Sequence, residues 1–299
     1  QYCIEHNVEL KLKTKAQELL VETIKGEQRV VGVRTNHGEY HAAAVILATG
    51  GCSHPETGDS AESVSWLTAF WHTVHEPNPD LVPLVAAEEW VKALSGTTLT
   101  FMKITFADQA NTKSTRFSST GKILFTHFGA SGPLILNAAH RVKQLLKSGP
   151  VHATIDMYPD TEIGTLRNRV LEVFKRNPNK TLKNILKEFV PAGTSEAVAA
   201  QLTPDLAEMK VHSVSRDDRH ALVDRLKNMP LTITGTMGFD WAVISDGGVD
   251  LTEVDTRTME SKKVAGLYLT GDTLNINRPN GGYSLQMCWT TGWLAGQRD

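Results

Sequence analysis

The chain has 299 residues, a formal net charge of -2 and 40% hydrophobic residues, enough for a sizeable core and for one large domain or about two to three modules. The near-neutral balance argues against nucleic acid as the main partner, and no apolar run reaches the length of a membrane-spanning helix. With no signal peptide at its start and with Cys3, Cys52 and Cys288 lacking metal or redox spacing, the chain is expected in a reduced, cytoplasmic compartment without a disulfide frame.

Taken in chain order, Tyr2 to Val8 reads as the end of a helix, and Val8 to Thr14 alternates apolar and polar residues as a half-buried strand does. Ala16 to Thr23, Val30 to Thr35 and Tyr40 to Ala42 read as further strands. The turn signals Lys25-Gly26-Glu27 and Asn36-His37-Gly38 separate them and make an antiparallel meander. The meander runs into Ala43 to Gly51, apolar on both faces as a central parallel strand should be. A ligand crevice is expected at the carboxyl end of such a strand.

Pro77, Pro79 and Pro83 mark a domain boundary. Strands around Thr98 to Phe106 and Gly121 to Phe125 follow, then a helix opening at Pro133 and running to about Leu146, then a strand from Val151 to Met157. Thr161 to Asn228 takes helical spacing, with Leu166, Val170, Val173 and Phe174 on one face and a capping box at Ser215 to Asp218. Leu231 to Met237 and Trp241 to Ser245 return to strand, Asp246-Gly247-Gly248 reads as a tight turn, and Val264 to Leu269 is the strand ending at Gly271. The chain thus leaves an α/β domain, builds a second module and returns.

The segment from Gly266 to Gln286 is the most informative. A buried strand ends at Gly271-Asp272, a polar loop follows, and Gly281-Gly282 opens a helix at Tyr283-Ser284. Helix N-terminal N–H groups above strand ends attract phosphate or an anionic ring, and glycines let a bulky ligand approach the backbone. Together with Ala48-Thr49-Gly50-Gly51, the segment points to a dinucleotide, and to a flavin first.

Four stretches carry a family resemblance: Val45 to Gly51 (VILATGG), Gly121 to Leu136 (GKILFTHFGASGPLIL), Gly247 to Ser261 (GGVDLTEVDTRTMES) and Gly266 to Gly296. In order and spacing the chain resembles the BaiN/YhiN-type family of NAD(P)/FAD-dependent oxidoreductases, a branch of the two-dinucleotide-binding flavoproteins. The resemblance implies an α/β fold: a partial, discontinuous Rossmann-like FAD-binding domain (1–78 and 264–299), an inserted β-barrel (79–160 and 229–263) and a helical insert in that barrel (161–228). It implies FAD-dependent redox chemistry on a small organic substrate, with NAD(P)H as reductant. The cofactor contacts it implies are Ala48, Thr49, Gly50, Gly51, Gly271, Asp272, Gly281, Gly282, Tyr283 and Ser284, with Asp272 at the ribityl or pyrophosphate region and Gly281-Gly282 at the pyrimidine edge of the ring.

Three departures qualify this expectation. The family's opening strand, G-x-G-x-x-G turn and ribose-binding acid are not in this sequence, so the chain is expected to be a fragment that binds FAD weakly by itself. The loop Thr57 to Val64 is short of glycine. The loop Asp272 to Arg278 is less acidic than the family pattern.

Other residues keep two readings each. Tyr283 either lines the flavin pocket or packs under the sheet; Gln286 either reaches the ring or does not. Gly292, Ala295 and Gly296 suit close helix–sheet packing. His127 is either a general acid or a structural hydrogen-bonding residue. Cys52 is either a redox thiol or a small residue in a turn. His72, His75 and Glu76 resemble a metal cluster only superficially, and no metal is expected. No residue stands out as a catalytic acid or base. Two further function classes remain: a non-catalytic remnant or binding module, and a flavin-dependent RNA-modifying enzyme.

Overall fold

The computed structural model describes residues 5–57, 62–108 and 115–297. It divides into two compact units, Gln1–Pro79 with Ile244–Asp299, and Asp80–Val243. The helix end read over Tyr2 to Val8 lies partly outside the described residues, as do Cys3 and most of the glycine-poor loop after Thr57.

The first unit opens with the expected meander. Strands β1 (Ala16–Ile24), β2 (Glu27–Thr35) and β3 (Gly38–His41) form a three-stranded antiparallel sheet. Lys25 and Gly26 both take positive φ, 54° and 88°, as a two-residue hairpin loop between right-twisted strands requires. Val8 to Thr14 forms no strand. Its alternation has nothing to face: Val8, Leu10 and Leu12 are all exposed, and no described strand pairs with it. Strand β4 (Val45–Leu47) follows, then helix α1 (Glu62–Ala69) and β5 (Val74–Asp80).

The second unit is built on a closed six-stranded barrel. Its strands are β6 (Leu84–Ala86), β7 (Thr98–Ala107), β8 (Phe117–Thr126), β9 (Gly129–Ser131), β10 (Val151–Asp156) and β11 (Met229–Thr236), in the order β10-β11-β6-β9-β8-β7. Alternation is clean: Val151, Ala153 and Ile155 of β10 and Met229, Leu231 and Ile233 of β11 point into the core. A short helix, α2 (Glu89–Ala93), carries Trp90 into that core, edge-on to Phe125 at 5.9 Å. Helix α3 (Pro133–Leu146) starts where the sequence places it. Gly132 supplies a φ of 92° that the entry needs, and Pro133 fixes the first turn.

Between β10 and β11 the chain is helical: α4 (Ile163–Arg176), α5 (Leu182–Ile185), α6 (Ser195–Ala199), α7 (Pro204–Glu208) and α8 (Arg216–Lys227). Ser215 caps α8, its Oγ accepting from the Asp218 N–H at 3.0 Å. Phe174, Phe189 and Leu226 of this segment share one apolar cluster with Ile155 and Leu231 of the barrel. Lys227, at the end of α8, pairs with Asp156 at 2.7 Å and donates to the carbonyls of Tyr158 and Thr161.

The chain then returns to the first unit through β12 (Ile244–Val249), β13 (Val254–Asp255), β14 (Glu260–Ser261), β15 (Leu267–Leu269) and α9 (Tyr283–Gly296). Residues 244–263 were expected with the barrel. They belong here instead, because β12 pairs with β5, and β13 and β14 extend the sheet that ends β15-β4. Asp246-Gly247-Gly248 is no turn but the middle of β12. Its glycines answer crowding from both sides: a Cβ on Gly247 would lie 2.7 Å from the Glu76 carbonyl, and one on Gly248 2.7 Å from the Thr273 carbonyl. Strands β15 and β4 run parallel, Leu267 opposite Val45 and Leu269 opposite Leu47. Ala295 of α9 is buried, whereas Gly292, Gly296, Leu285, Trp289 and Trp293 face outward. Among the described residues no helix is long and apolar enough to cross a membrane.

Candidate functional site

The in-register pair β4 and β15 delivers two turns to one edge of the first unit. After β4 the chain bends at Gly50, φ 72°, and after β15 at Gly271, φ 60°. Both values lie in the left-handed region that glycine adopts without strain. The strand ends are stitched together: the N–H and Oγ of Thr270 donate to the Leu47 carbonyl at 3.1 and 3.0 Å. Helix α9 closes on the same place, the Thr291 hydroxyl oxygen accepting from the Gly271 N–H at 3.1 Å.

The start of α9 is left open. Gly282 is its N-cap at φ 91°, with no side-chain cap, and Gly281 precedes it at φ 119°. The first helical bond is Gln286 N–H to the Gly282 carbonyl at 3.1 Å. Apart from its immediate chain neighbours and the helix backbone, no described heavy atom lies within 4 Å of where a Cβ on Gly282 would sit. The terminus therefore presents N–H groups and partial positive charge to open space.

Gly51 differs. It is buried, and a Cβ there would meet Ser245 Cβ and Oγ at 2.6 Å and Asp272 Cβ at 3.1 Å. Its glycine is demanded by the protein's own packing. Ser245 Oγ accepts from the Cys52 N–H at 2.6 Å and lies 3.2 Å from Ser53 Oγ. The Ser245 N–H donates to Asp272 Oδ2 at 3.3 Å. Asp272 Oδ1 takes the Arg278 guanidinium, which also donates to the Ile276 carbonyl at 2.7 Å and to Ser284 Oγ at 3.1 Å. Arg278 is 6% exposed.

Most of the residues named from the sequence thus come together. Gly50, Gly51 and Asp272 line one small cleft with Ser245 and Gly248. Ala48 and Thr49 stand exposed beside it. Ser284 joins Asp272 through Arg278. Tyr283 is 57% exposed, so it does not pack under the sheet. Gln286 is exposed and donates to Thr290 Oγ1 at 3.1 Å. The site residues that sequence reasoning missed are Ser245 and Arg278. Arg278 left a signal, a single cation in an otherwise neutral loop between Asp272 and Gly281; Ser245 left none.

The remaining candidates sit elsewhere. His127, in the second unit, is exposed, its ring edge-on to Phe128 at 4.9 Å. His72 is buried, 2.8 Å from Ser261 Oγ and 3.3 Å from the Leu67 carbonyl, and burial pushes its pKa below the ordinary histidine value. His75 pairs with Asp250 at 3.1 Å. Hydrogen bonds from Thr252 and His75 hold the Asp250 carboxyl well below the usual range. These histidines clasp β5 to neighbouring segments and do not converge on one point. The Cys288 thiol, facing Gly271, is pushed up by burial and then by Asp272.

Comparison with known proteins agrees with this architecture. The family model described as "HI0933-like protein Rossmann domain" matches residues 1–298. A ribosomal RNA dihydrouridine synthase of Escherichia coli K12 is 29% identical over 256 residues, covering 85% of this chain and 60% of that protein. A ribosomal RNA dihydrouridine synthase of Haemophilus influenzae is 26% identical, covering 97% of this chain and 68% of its own length. A 3-dehydro-bile acid delta(4,6)-reductase of Clostridium scindens is 28% identical, covering 93% and 67%. The chain therefore spans about two thirds or less of the length of these relatives.

Proposed function

Because the chain belongs to the HI0933-like family, the flavoprotein family its motifs resemble, we propose that it forms part of an FAD-dependent oxidoreductase that saturates carbon–carbon double bonds conjugated to a carbonyl. NAD(P)H is the proposed reductant. The observation that carries this reading is the uncapped, glycine-opened terminus of α9, tied through Arg278 to the Asp272 turn that follows the parallel strand β15. The residues fit the group: Gly282 faces free space, and a helix N-terminus suits the electron-rich pyrimidine edge of a flavin.

In that role Gly281, Gly282, Tyr283 and Ser284 hold the ring edge, while Ala48, Thr49, Gly50, Gly271 and Asp272 shape the floor at the strand ends. FAD held there would accept a hydride from NAD(P)H, leaving NAD(P)+, and in its reduced form would pass a hydride to an electron-poor carbon. The substrate gains that hydride at the β-carbon and a proton at the α-carbon, and loses one π bond. The helices between β10 and β11 we read as an insert of the barrel.

The relatives' names support the reaction class. Uracil carries a C5=C6 bond conjugated to C4=O, and a 4,6-dien-3-one carries the same arrangement in a steroid, so the two share one chemistry. A small enone is the first reading for the substrate. RNA-borne uracil is the second, favoured by the two dihydrouridine synthase relatives.

The test is to supply the purified protein with NAD(P)H and either a 4-en-3-one steroid or a uridine-containing RNA, and to look by mass spectrometry for the gain of two hydrogens. Reduction of either substrate selects between the two readings. A protein that binds FAD but reduces neither would be a binding module instead. Gly282→Val should strip the yellow chromophore while leaving the barrel folded, since the added side chain enters the space the ring edge needs. Unchanged flavin absorbance in that variant would remove the Gly281-Gly282 assignment.

A further inference from the structure

The Asp272–Arg278 pair is nearly sealed, with side-chain exposures of 15% and 6%. Burying two charges is expensive, and such a pair is weak support for stability by itself. Its position suggests what it is for. The guanidinium is a rigid planar fork, and each of its nitrogens is engaged: Nη2 on Asp272 Oδ1, Nη1 on the Ile276 carbonyl, Nε on Ser284 Oγ. Ser284 is the second residue of α9. Asp272 reaches the Ser245 N–H through its other oxygen, and Ser245 Oγ accepts from the N–H of Cys52. A continuous set of contacts thus runs from the turn after β4, across β12 and the end of β15, to the first turn of α9, and Arg278 is its last link.

We infer that Arg278 is a positioning residue for the flavin edge at the Gly281-Gly282 turn. It aims the open N–H groups of α9 and compensates the Asp272 carboxylate beneath them. The inference rests on the flavin reading above. Its electrostatic side has a definite sign. Without the guanidinium, Asp272 is an unpaired negative charge beside the helix terminus. It then opposes the partial positive charge there and disfavours negative charge on the reduced ring. Its geometric side is separate, because a lysine keeps the charge and loses the fork.

The experiment compares the FAD-loaded parent with Arg278→Met, Arg278→Lys and the double variant Asp272→Asn/Arg278→Met, measuring the FAD dissociation constant and the flavin midpoint potential. Arg278→Met should weaken FAD by about tenfold and make the potential more negative. The double variant should recover the potential but not the affinity. Arg278→Lys should hold the potential near the parent value and still bind FAD weakly. Should Arg278→Met fail to fold by circular dichroism, Arg278→Lys against the parent decides the affinity arm and the double variant the charge arm. A flavin-loaded parent indistinguishable from Arg278→Met or Arg278→Lys in affinity overturns this inference alone. A parent that takes up no FAD when tested as the whole protein overturns the flavin reading and this inference with it.

Discussion

Gly51 and Gly282 are glycines for opposite reasons. At Gly51 the space is full, and at Gly282 the space is empty but the backbone is left-handed. Gly51→Ala should cost about 1–3 kcal/mol of stability, the usual range for overpacking, read from the shift in the denaturation midpoint. Adding Ser245→Gly, which removes the atoms the new methyl would strike, should return part of it. If Gly51→Ala unfolds like the parent, the packing account is wrong. His72 makes a second residue-scale prediction. Burial lowers its pKa from the ordinary 6.5, so in the folded state it stays neutral while the unfolded chain takes up a proton. Stability should then be full above about pH 6.5 and fall as the pH drops below it. Asp255, held at about 2 by Arg257, titrates far below this window. Urea midpoints between neutral pH and about pH 5.5 should show the loss, and His72→Gln should flatten it. An unchanged slope in that variant would assign the loss elsewhere.

At the scale of elements, α8 is held by its two ends. Ser215 caps the start, and Lys227 anchors the finish to Asp156 and two carbonyls. Lys227→Met leaves a half-buried carboxylate unpaired, and should cost about 2–3 kcal/mol, measured by denaturant unfolding of the barrel unit. Asp156→Asn in the same chain should lessen the loss, and a simple sum of the two single effects would show that the pair is not coupled. Elements of this kind were legible in the sequence. The Ser215 box, Pro133 after Gly132, and the hairpin at Lys25-Gly26 each combine a local residue choice with a long periodic run. The crevice was legible in its glycine turns, because strand, turn and helix signals followed one another in order. What escaped depended on distant neighbours. Val8 to Thr14 has the alternation of a strand and no described strand to pair with. Gly247 and Gly248 look like a turn until β5 and the Thr273–Leu274 backbone press on them. Ser245 joins the site only because β12 runs past Gly51 and Asp272, and a contact across almost two hundred residues leaves no local trace.

At the scale of the molecule, the barrel and its helices own a single apolar cluster from Val82 to Ala242, and the two ends of that stretch lie side by side. Thr236 pairs with Leu84, and the Met237 N–H bonds to the Pro83 carbonyl. Residues 80–243 expressed by themselves should therefore fold cooperatively, with dispersed amide resonances and a sigmoidal denaturant transition. A broad, non-cooperative transition would mean that the rest of the chain is needed to complete that core.

The distribution of tryptophan has an optical consequence. Trp71, Trp289 and Trp293 lie largely in water and Trp241 is 46% exposed, whereas Trp90 is sealed against Phe125 in the barrel and Trp66 is half-buried against the apolar cluster of the first unit. Emission from the exposed indoles should change little in colour on denaturation, and the red shift should come mainly from Trp90, with a smaller part from Trp66. In a Trp66→Phe variant, a fluorescence-detected melt is then a melt of the barrel. Circular dichroism follows both units, so the two signals should separate whenever the units lose structure at different points.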